Sequence, residues 1–370
     1  MAKVTLQSIA DRLGVSRMTV SNAFSRPDQL SAALRERILA EAEALGYLGP
    51  DPSARSLARG TTGTIGVLWS GRLRYTLSDE ISAAFLGAIA DELAPDGLAL
   101  TLLPAVAEGD VVPVRDVAMD GAIAYSCPPE LPALGWLERR GLPLVYVDMP
   151  PRRGRTVITI DDRGGARLAA KHVLALGHER VAIVSAGLSM SPGVVQLSLS
   201  EALAVARSQV IDQRLLGWHD ALSAAGISPV LVAQPDVFAD ARPAVRELLG
   251  RAERPTAVLC MTDVIARDVV AAAQEQGLRV PEDLSVVGFD DNPLGARTHP
   301  RLTTVAQDVD LKGRVAARAL REALHAQEGG RRRPPGRRLP VRLVVRESTS
   351  AAPVRSPSPS RRRDPGAPGL

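Results

Sequence analysis

Cysteine is almost missing from this sequence: Cys127 and Cys260 are the two among 370 residues. They lie far apart and without metal-ligand spacing, which excludes a disulfide-stapled scaffold and a zinc site and leaves two ordinary buried thiols. No apolar run reaches the roughly 18 residues of a membrane span. The opening MAKVTLQSIADRLG is charged and amphipathic, unlike a signal peptide. A cytoplasmic, nucleoid-associated protein with no membrane partner is expected. Catalytic signatures are missing too. No G-x-G-x-x-G follows an apolar strand, neither a G-x-S-x-G elbow nor a P-loop occurs, and His172, His178, His219, His299 and His325 form no metal-spaced pair. No metal and no cofactor are expected, and His178, in LGHER, reads as a helix-end cap. An enzyme on a doubly wound sheet, or a ligand-binding protein without DNA, is the rival reading, and turnover of a small molecule would revive it.

What is present is an ordinary globular composition, 45% hydrophobic and 23% charged, in a chain too long for one core, so two or three domains are expected. The net charge of +4 misleads. Residues 329–370 hold eleven arginines against Glu347 and Asp364, a surplus of nine, so residues 1–328 sum to −5. Any case for nucleic acid therefore rests on local pattern rather than on bulk charge.

That pattern lies at the amino-terminal end. In TLQSIADRLG, Leu6, Ile9, Ala10 and Leu13 share one helical face, and Gly14 supplies the left-handed residue that ends the helix. Ser16 caps a second helix, with Val15 and Val20 spaced as a hydrophobic staple. Val20 and Phe24 turn inward, leaving Arg17, Met18, Ser21 and Asn22 outward near the helix start. A third helix runs from the cap Ser31 through Leu34, Ile38, Ala42 and Leu45 to Gly46. Helix, tight turn and helix with a polar outer face describe a helix-turn-helix, although a generic three-helix cap fits the same spacing. Next comes GPDPSARSLARG, with Asp51 as cap, Pro52 at the first helical position, a helix over Ser53–Arg59 and Gly60 as stop. Helices under about 12 residues are marginal in water, so this one is expected to be disordered until something holds it. Leu57, between Arg55 and Arg59, suits insertion between base steps of a minor groove; a plain linker with an incidental leucine is the alternative.

From Ile65 onward short apolar runs alternate with helical stretches: TIGVLW, LALTLL, GAIAYS, PLVYVD, RVAIVS, TAVLC and LSVVGF. This is the pattern of parallel sheets covered on both faces, with more strands than one small sheet holds. Ligands of such sheets bind at the carboxyl ends of strands. Asp148, Thr262 with Asp263, and Asp290 with Asp291 stand there, Asp263 reading as a helix N-cap and Asp291 as a loop cap. Arg214, in DQRLLGW, begins a helix nearby.

VTLQSIADRLGVSRMTVSNAF, LRERILAEAEALGY, DPSARSLARG and TGTIGV resemble the headpiece, hinge helix and first core strand of the lactose-repressor-like (LacI/GalR) transcription regulators. The resemblance continues in family order through ALGHERVAIVS, QRLLGWHDAL, RPTAVLCMTD, LRVPEDLSVVGFDD, PRLTTV and LPVRLVVREST, over about residues 3–349. It implies a helix-turn-helix headpiece at 1–48, a hinge helix at 49–60 and an α/β core at 61–349; beyond it, the Arg, Pro and Ser mixture at 350–370 cannot bury enough apolar surface to fold and is expected to be disordered. The core would be two doubly wound parallel-sheet subdomains, as in periplasmic binding proteins, joined by three crossovers. By matching position, Arg17, Met18 and Asn22 read bases, Leu57 wedges into the minor groove and Ala54 packs beside it. Chemistry agrees: arginine suits guanine, asparagine adenine, and methionine a thymine methyl. Thr5, Ser16, Thr19, Ser21 and Tyr47 read as phosphate contacts.

Asp148, Arg214 and Asp290 match residues that bind effector hydroxyls or carboxyls, which suits a sugar-like polyol. Three departures make the effector unusual. Thr262 replaces a frequent asparagine. Ser189–Asp212 is long, with Leu199, Leu203, Ala206 and Val210 spaced for an added helix over the cleft. SGRLRYTLSDE offers Tyr75 and Asp79 where effectors dock. The tail has no leucine heptads, so a homodimer through the core is expected rather than a tail-mediated tetramer. The function implied is an effector-controlled, sequence-specific repressor on a pseudo-palindromic duplex operator, working by bending between subdomains that orders or releases the hinge segments.

Overall fold

A computed structural model describes residues 4–49, 51–70, 73–105, 112–188, 191–195, 197–206, 208–329 and 335–353. Residues up to Thr64, with Ala118–Asp120, form one compact unit and the remaining residues a second.

In the first unit the helices Leu6–Leu13, Arg17–Ser25 and Ala32–Ala44 enclose a small core of Ile9, Ala10, Val20, Ala23, Ile38 and Ala42. Gly14, at φ 67°, ends the first helix and donates its N–H to the Ala10 carbonyl. Val15 and Val20 join the same cluster, as a staple requires. The segment expected to lack order without DNA is instead a helix, Pro52–Arg59. Its ends explain this: the Asp51 carboxylate accepts from the Ala54 N–H at 3.3 Å, proline occupies the first turn, and Gly60 closes at φ 71°.

The strands in chain order are β1 (Thr64–Trp69), β2 (Ala99–Pro104), β3 (Gly121–Tyr125), β4 (Leu144–Val147), β5 (Thr156–Ile160), β6 (Val181–Ser185), β7 (Gly193–Val195), β8 (Val230–Ala233), β9 (Ala257–Cys260), β10 (Ser285–Asp290), β11 (Thr303–Gln307), β12 (Arg337–Leu339) and β13 (Val341–Val344). One sheet has the order β12-β5-β4-β3-β1-β2, the other β13-β11-β10-β9-β6-β8-β7. Pairing is parallel in the interior of both, while β13 and β7 run antiparallel at the two edges of the second. The interior strands β4, β6, β9 and β10 are buried throughout, as helices on both faces require. The chain passes between the sheets after β5, after β11 and after β12.

The long segment after β6 forms the edge strand β7 and the helix Leu199–Val205, closed by a Ser198–Glu201 capping box. That helix buries Ala202 in the core of the second sheet instead of covering a cleft, and Val210 belongs to the next helix, Gln209–Ala224. Arg214 sits inside that helix, not at its start. The N-cap at the end of β9 is Thr262; Asp263 is the first helical residue and is buried. His178 does close the helix Asp162–Ala175, its backbone N–H donating to the Val173 carbonyl at 3.2 Å, while its ring is buried between Thr256 Oγ1 at 2.9 Å and Ser285 Oγ at 3.0 Å and reaches the Ser350 carbonyl at 3.1 Å. Ser350 therefore belongs to the fold, and Ala352 donates its N–H to Leu176 O at 2.8 Å; the expected tail past Pro353 lies outside the described residues. Both cysteines are free and buried. Among the described residues no helix is long and apolar enough to cross a membrane.

Close helix packing sets one test. A Cβ at Gly217 would lie 2.2 Å from the Arg163 carbonyl oxygen and 2.8 Å from Ala166 Cβ, so Gly217→Ala is expected to cost about 1–3 kcal/mol. At Gly135, in helix Pro132–Arg139, the nearest atom is Arg139 Nη1 at 3.7 Å, and Gly135→Ala is expected to add about 0.5–1 kcal/mol. Urea unfolding of both variants checks the pair of signs.

Candidate effector cleft and nucleic-acid interface

The carboxyl ends of strands from both sheets surround a cavity of about 500 Å³. Asp148 follows β4, Asp290 ends β10 and Gln307 ends β11, while Arg214 reaches in from helix Gln209–Ala224. Backbone conformation singles out the same places. Among the described residues Ser126, Asp148, Asp290 and Asp291 are the non-glycine residues with positive φ, and the first three line the cavity. Such conformations cost about 1–3 kcal/mol each and gather where a site needs a side chain aimed in a particular direction.

The polar groups form one continuous chain. Arg214 donates Nε to Asp162 at 2.8 Å, Nη1 to the Met261 carbonyl at 2.5 Å and Nη2 to Asp290 at 2.9 Å. Gln307 donates Nε2 to Asp290 at 2.8 Å and accepts from Lys312 Nζ at 2.9 Å, and Lys312 donates to Asp148 at 2.6 Å. Burial opposes the charge on Arg214 and on Lys312, yet the carboxylates beside them hold both above their ordinary pKa values. Burial raises the Asp162 carboxyl to about 6 even with Arg214 attached. On the first-sheet side Trp69 and Tyr125 stack, centroids 4.0 Å apart, with Phe85 4.7 Å behind Tyr125. Phe238 stands at the rim, 37% exposed, on a turn held by the Asp236 carboxylate.

Asp148, Arg214, Asp290, Thr262 and Asp79 all line this cavity, but the last two are already engaged locally. Thr262 Oγ1 accepts from the Ile265 N–H at 3.3 Å. The Asp79 carboxylate caps helix Glu80–Leu93 through the Ser82 N–H and hydroxyl, and burial raises its pKa. The Tyr75 side chain lies outside the described residues. Lys312, Gln307 and Asp162 escaped the sequence reading. Lys312 carried a readable signal: in VDLKGRVAARAL it shares a helical face with Ala316 and Leu320, both buried, an improbable place for a lysine without a partner.

In the first unit, Ser16 Oγ accepts from the Thr19 N–H at 3.0 Å and lies 2.8 Å from Thr19 Oγ1, so both hydroxyls serve the helix start. Thr5 forms a capping box with Ser8. Arg17 is exposed, as is Met18 at 68%, while the half-buried Asn22 donates Nδ2 to Gln29 Oε1 at 3.1 Å. Ser21 is half-buried, and its carbonyl accepts from the Ser25 hydroxyl. Tyr47 packs edge-on against Phe24 at 5.8 Å. On helix Pro52–Arg59, Ala54 is exposed and Leu57 is 87% exposed.

A transcriptional regulator of Corynebacterium glutamicum, IpsA, is 38% identical over 327 residues, covering 85% of this chain and 90% of its own. The chain belongs to the lacI family of bacterial regulatory proteins. The family's own description, "Bacterial regulatory proteins, lacI family", matches residues 5–49, and a periplasmic binding protein-like domain matches residues 170–349. The lactose operon repressor of Escherichia coli is 28% identical over 371 residues, 97% of this chain and 94% of its own. The lac repressor dimer bound to operator and the anti-inducer ONPF superimposes with a TM-score of 0.74 at 28% identity, covering 95% of this chain and all of that one. A complex of the regulator CelR with cellobiose gives 0.65 at 26% identity over 94% of this chain. As a lacI-family member the chain is a transcriptional regulator and not an enzyme.

Asp263 provides a pH test. Its carboxylate accepts from the Asn292 N–H and the Thr304 hydroxyl, each at 2.7 Å, yet burial lifts its pKa to about 8. Between about 4, where an unfolded aspartate titrates, and 8 the native state keeps a proton that the unfolded state has lost, so this group's contribution falls as pH rises. Urea unfolding from pH 5 to 9 is expected to show the native protein losing stability relative to Asp263→Asn up to about pH 8, whatever the offset at pH 5.

Proposed function

We propose that the chain is a homodimeric repressor that binds a pseudo-palindromic duplex operator and is released from it, or driven onto it, by a sugar-like polyol held in the cleft. Residues 1–48 act as headpiece, 49–60 as hinge helix and 61–349 as effector core, in the cytoplasm at the nucleoid. The observation that carries the reading is the outward face of helix Arg17–Ser25, where a guanidinium, an exposed thioether and an amide stand together near a capped helix start. Arg17 suits a guanine edge, Met18 a thymine methyl and Asn22 an adenine, with Asn22 exchanging Gln29 for the base. Thr5, Ser16, Thr19, Ser21 and Tyr47 place phosphates without reading sequence. Leu57, exposed on a short basic helix, wedges a minor-groove step with Ala54 beside it. The operator-bound lac repressor dimer supports two-fold binding, and the CelR–cellobiose complex supports a saccharide in the cleft. Linkage makes the coupling reciprocal: whatever factor the effector applies to operator affinity, the operator applies to effector affinity.

An operator selected from random duplexes tests this directly. Arg17→Ala or Asn22→Ala is expected to cost about 1–3 kcal/mol of discrimination between operator and a single-base variant, with fold unchanged. An equal loss on random DNA contradicts base reading. Leu57→Gly is expected to weaken operator binding far more than non-specific binding, and an unchanged operator affinity removes the wedge.

A further inference from the structure

Just behind the helix Pro52–Arg59 a single carboxylate gathers the chain. Asp120, half-buried directly before β3, accepts from the Thr62 N–H at 2.7 Å and the Thr62 hydroxyl at 3.0 Å on Oδ1, and from the Gly63 N–H at 2.7 Å on Oδ2. Its own N–H donates to the Thr64 carbonyl at 2.9 Å, and the Thr62 hydroxyl accepts from the Thr64 N–H at 3.2 Å. Gly63, at φ 68°, adopts the left-handed conformation that glycine enters without strain. Hydrogen bonds to an ionised acceptor are roughly twice as strong as neutral ones, so three on one carboxylate make a firm hold. The ladder between β1 and β3 does not need them: it runs from Ile65–Gly121 to Trp69–Tyr125, and the Asp120 side chain binds residues that precede it.

We propose that Asp120 is a positioning residue for operator binding, one that never touches DNA but keeps the helix carrying Leu57 on a short tether. This rests on the operator reading above and deepens it. A single residue, Thr61, separates Gly60, whose N–H closes the helix on the Ser56 carbonyl, from Thr62, where the carboxylate takes hold. The two chain steps from Gly60 to Thr62 reach at most about 7 Å, whereas the four steps from Gly60 to Thr64, the tether that remains once the carboxylate is gone, reach about 14 Å. Doubling the reach multiplies the volume open to the helix end by about eight, and the effective concentration of Leu57 at its groove falls in proportion. Two such helices act in a dimer, so the losses multiply to about 60-fold. Were Asp120 present only to start β3, its backbone bond to Thr64 would suffice; the side chain instead holds the two residues between that bond and the helix.

Affinities of the full chain for its selected operator and for a random duplex of equal length test the inference. Asp120→Ala is expected to weaken operator binding about 10–100-fold. Affinity for the random duplex, set by phosphate contacts, is expected to stay within about twofold. Asp120→Asn keeps an oxygen for Thr62 and turns an amide N–H toward Gly63, and is expected to fall between native and Asp120→Ala. Two glycines inserted after Gly60 leave every bond of the carboxylate in place, lengthen the tether by about 7 Å and are expected to reproduce the Asp120→Ala loss. Operator affinity unchanged in Asp120→Ala or in the insertion variant overturns the inference, as does an equal loss on both duplexes. Should Asp120→Ala fail to fold, the insertion variant decides, since it removes no contact. A native chain that selects no operator defeats the operator reading and the positioning role with it, whereas a selected operator that every variant binds as tightly as the native chain defeats the positioning role alone.

Discussion

Two cations that water hardly reaches, Arg214 and Lys312, govern the arrangement of the core. A buried charge without a partner costs several kcal/mol, so each must be answered by carboxylates held in fixed places. Asp162 and Asp290 answer Arg214, Asp148 answers Lys312, and Gln307 joins the two groups through its amide. These partners come from different strands and helices. The requirement that they meet ties the carboxyl ends of β4, β10 and β11 to one another and makes sense of the left-handed backbone at Asp148 and Asp290. Phe289, 3.5 Å from the guanidinium carbon of Arg214, packs its ring against the same group.

The architecture was legible where local signals were strong and separate. Gly14, Ser16 and Ser31 mark helix ends by chemistry that needs no tertiary partner, and they stand where the periodicity puts them. The apolar runs of β1, β3, β4, β6, β9 and β10 were readable because strands buried on both faces carry little but apolar residues. Strands β5 and β11 were not read as strands, since TVITI and TTVAQ mix threonine with apolar residues. With them went the strand-end rule that would have flagged Asp162 and Gln307. At Thr262 and Asp263 two adjacent capping residues competed, and the hydroxyl won the cap while the carboxylate was buried against Thr304. His178 caps its helix through the backbone as its place in LGHER suggests, but its ring's partners, Thr256, Ser285 and Ser350, are distant in sequence and could not be read. The helix Pro52–Arg59 was expected to need an external surface; it is helical here, with the Asp51 carboxylate on the Ala54 N–H at its start.

The site shows the same division. Asp148 and Asp290 were found by their positions at strand ends and by family pattern, Arg214 by family pattern, and all three face one cavity. What sequence could not reveal was that they are already hydrogen-bonded through Lys312 and Gln307. Pairing between residues far apart in the chain depends on the register of two sheets, which no local pattern encodes. The amino-terminal unit differs in kind. The face proposed to read bases, Arg17, Met18 and Asn22, lies within one short helix, so its chemistry can be read almost directly from the order of the letters.

The three passages between the sheets lie close together: the Asp161 N–H after β5 donates to the Leu339 carbonyl of β12 at 2.9 Å, and Gln307 and Lys312 flank the passage after β11. Any bending of one sheet against the other turns about these strands as about a fulcrum. Atoms beside a fulcrum travel least, so such a bend would leave the ionic chain almost in place.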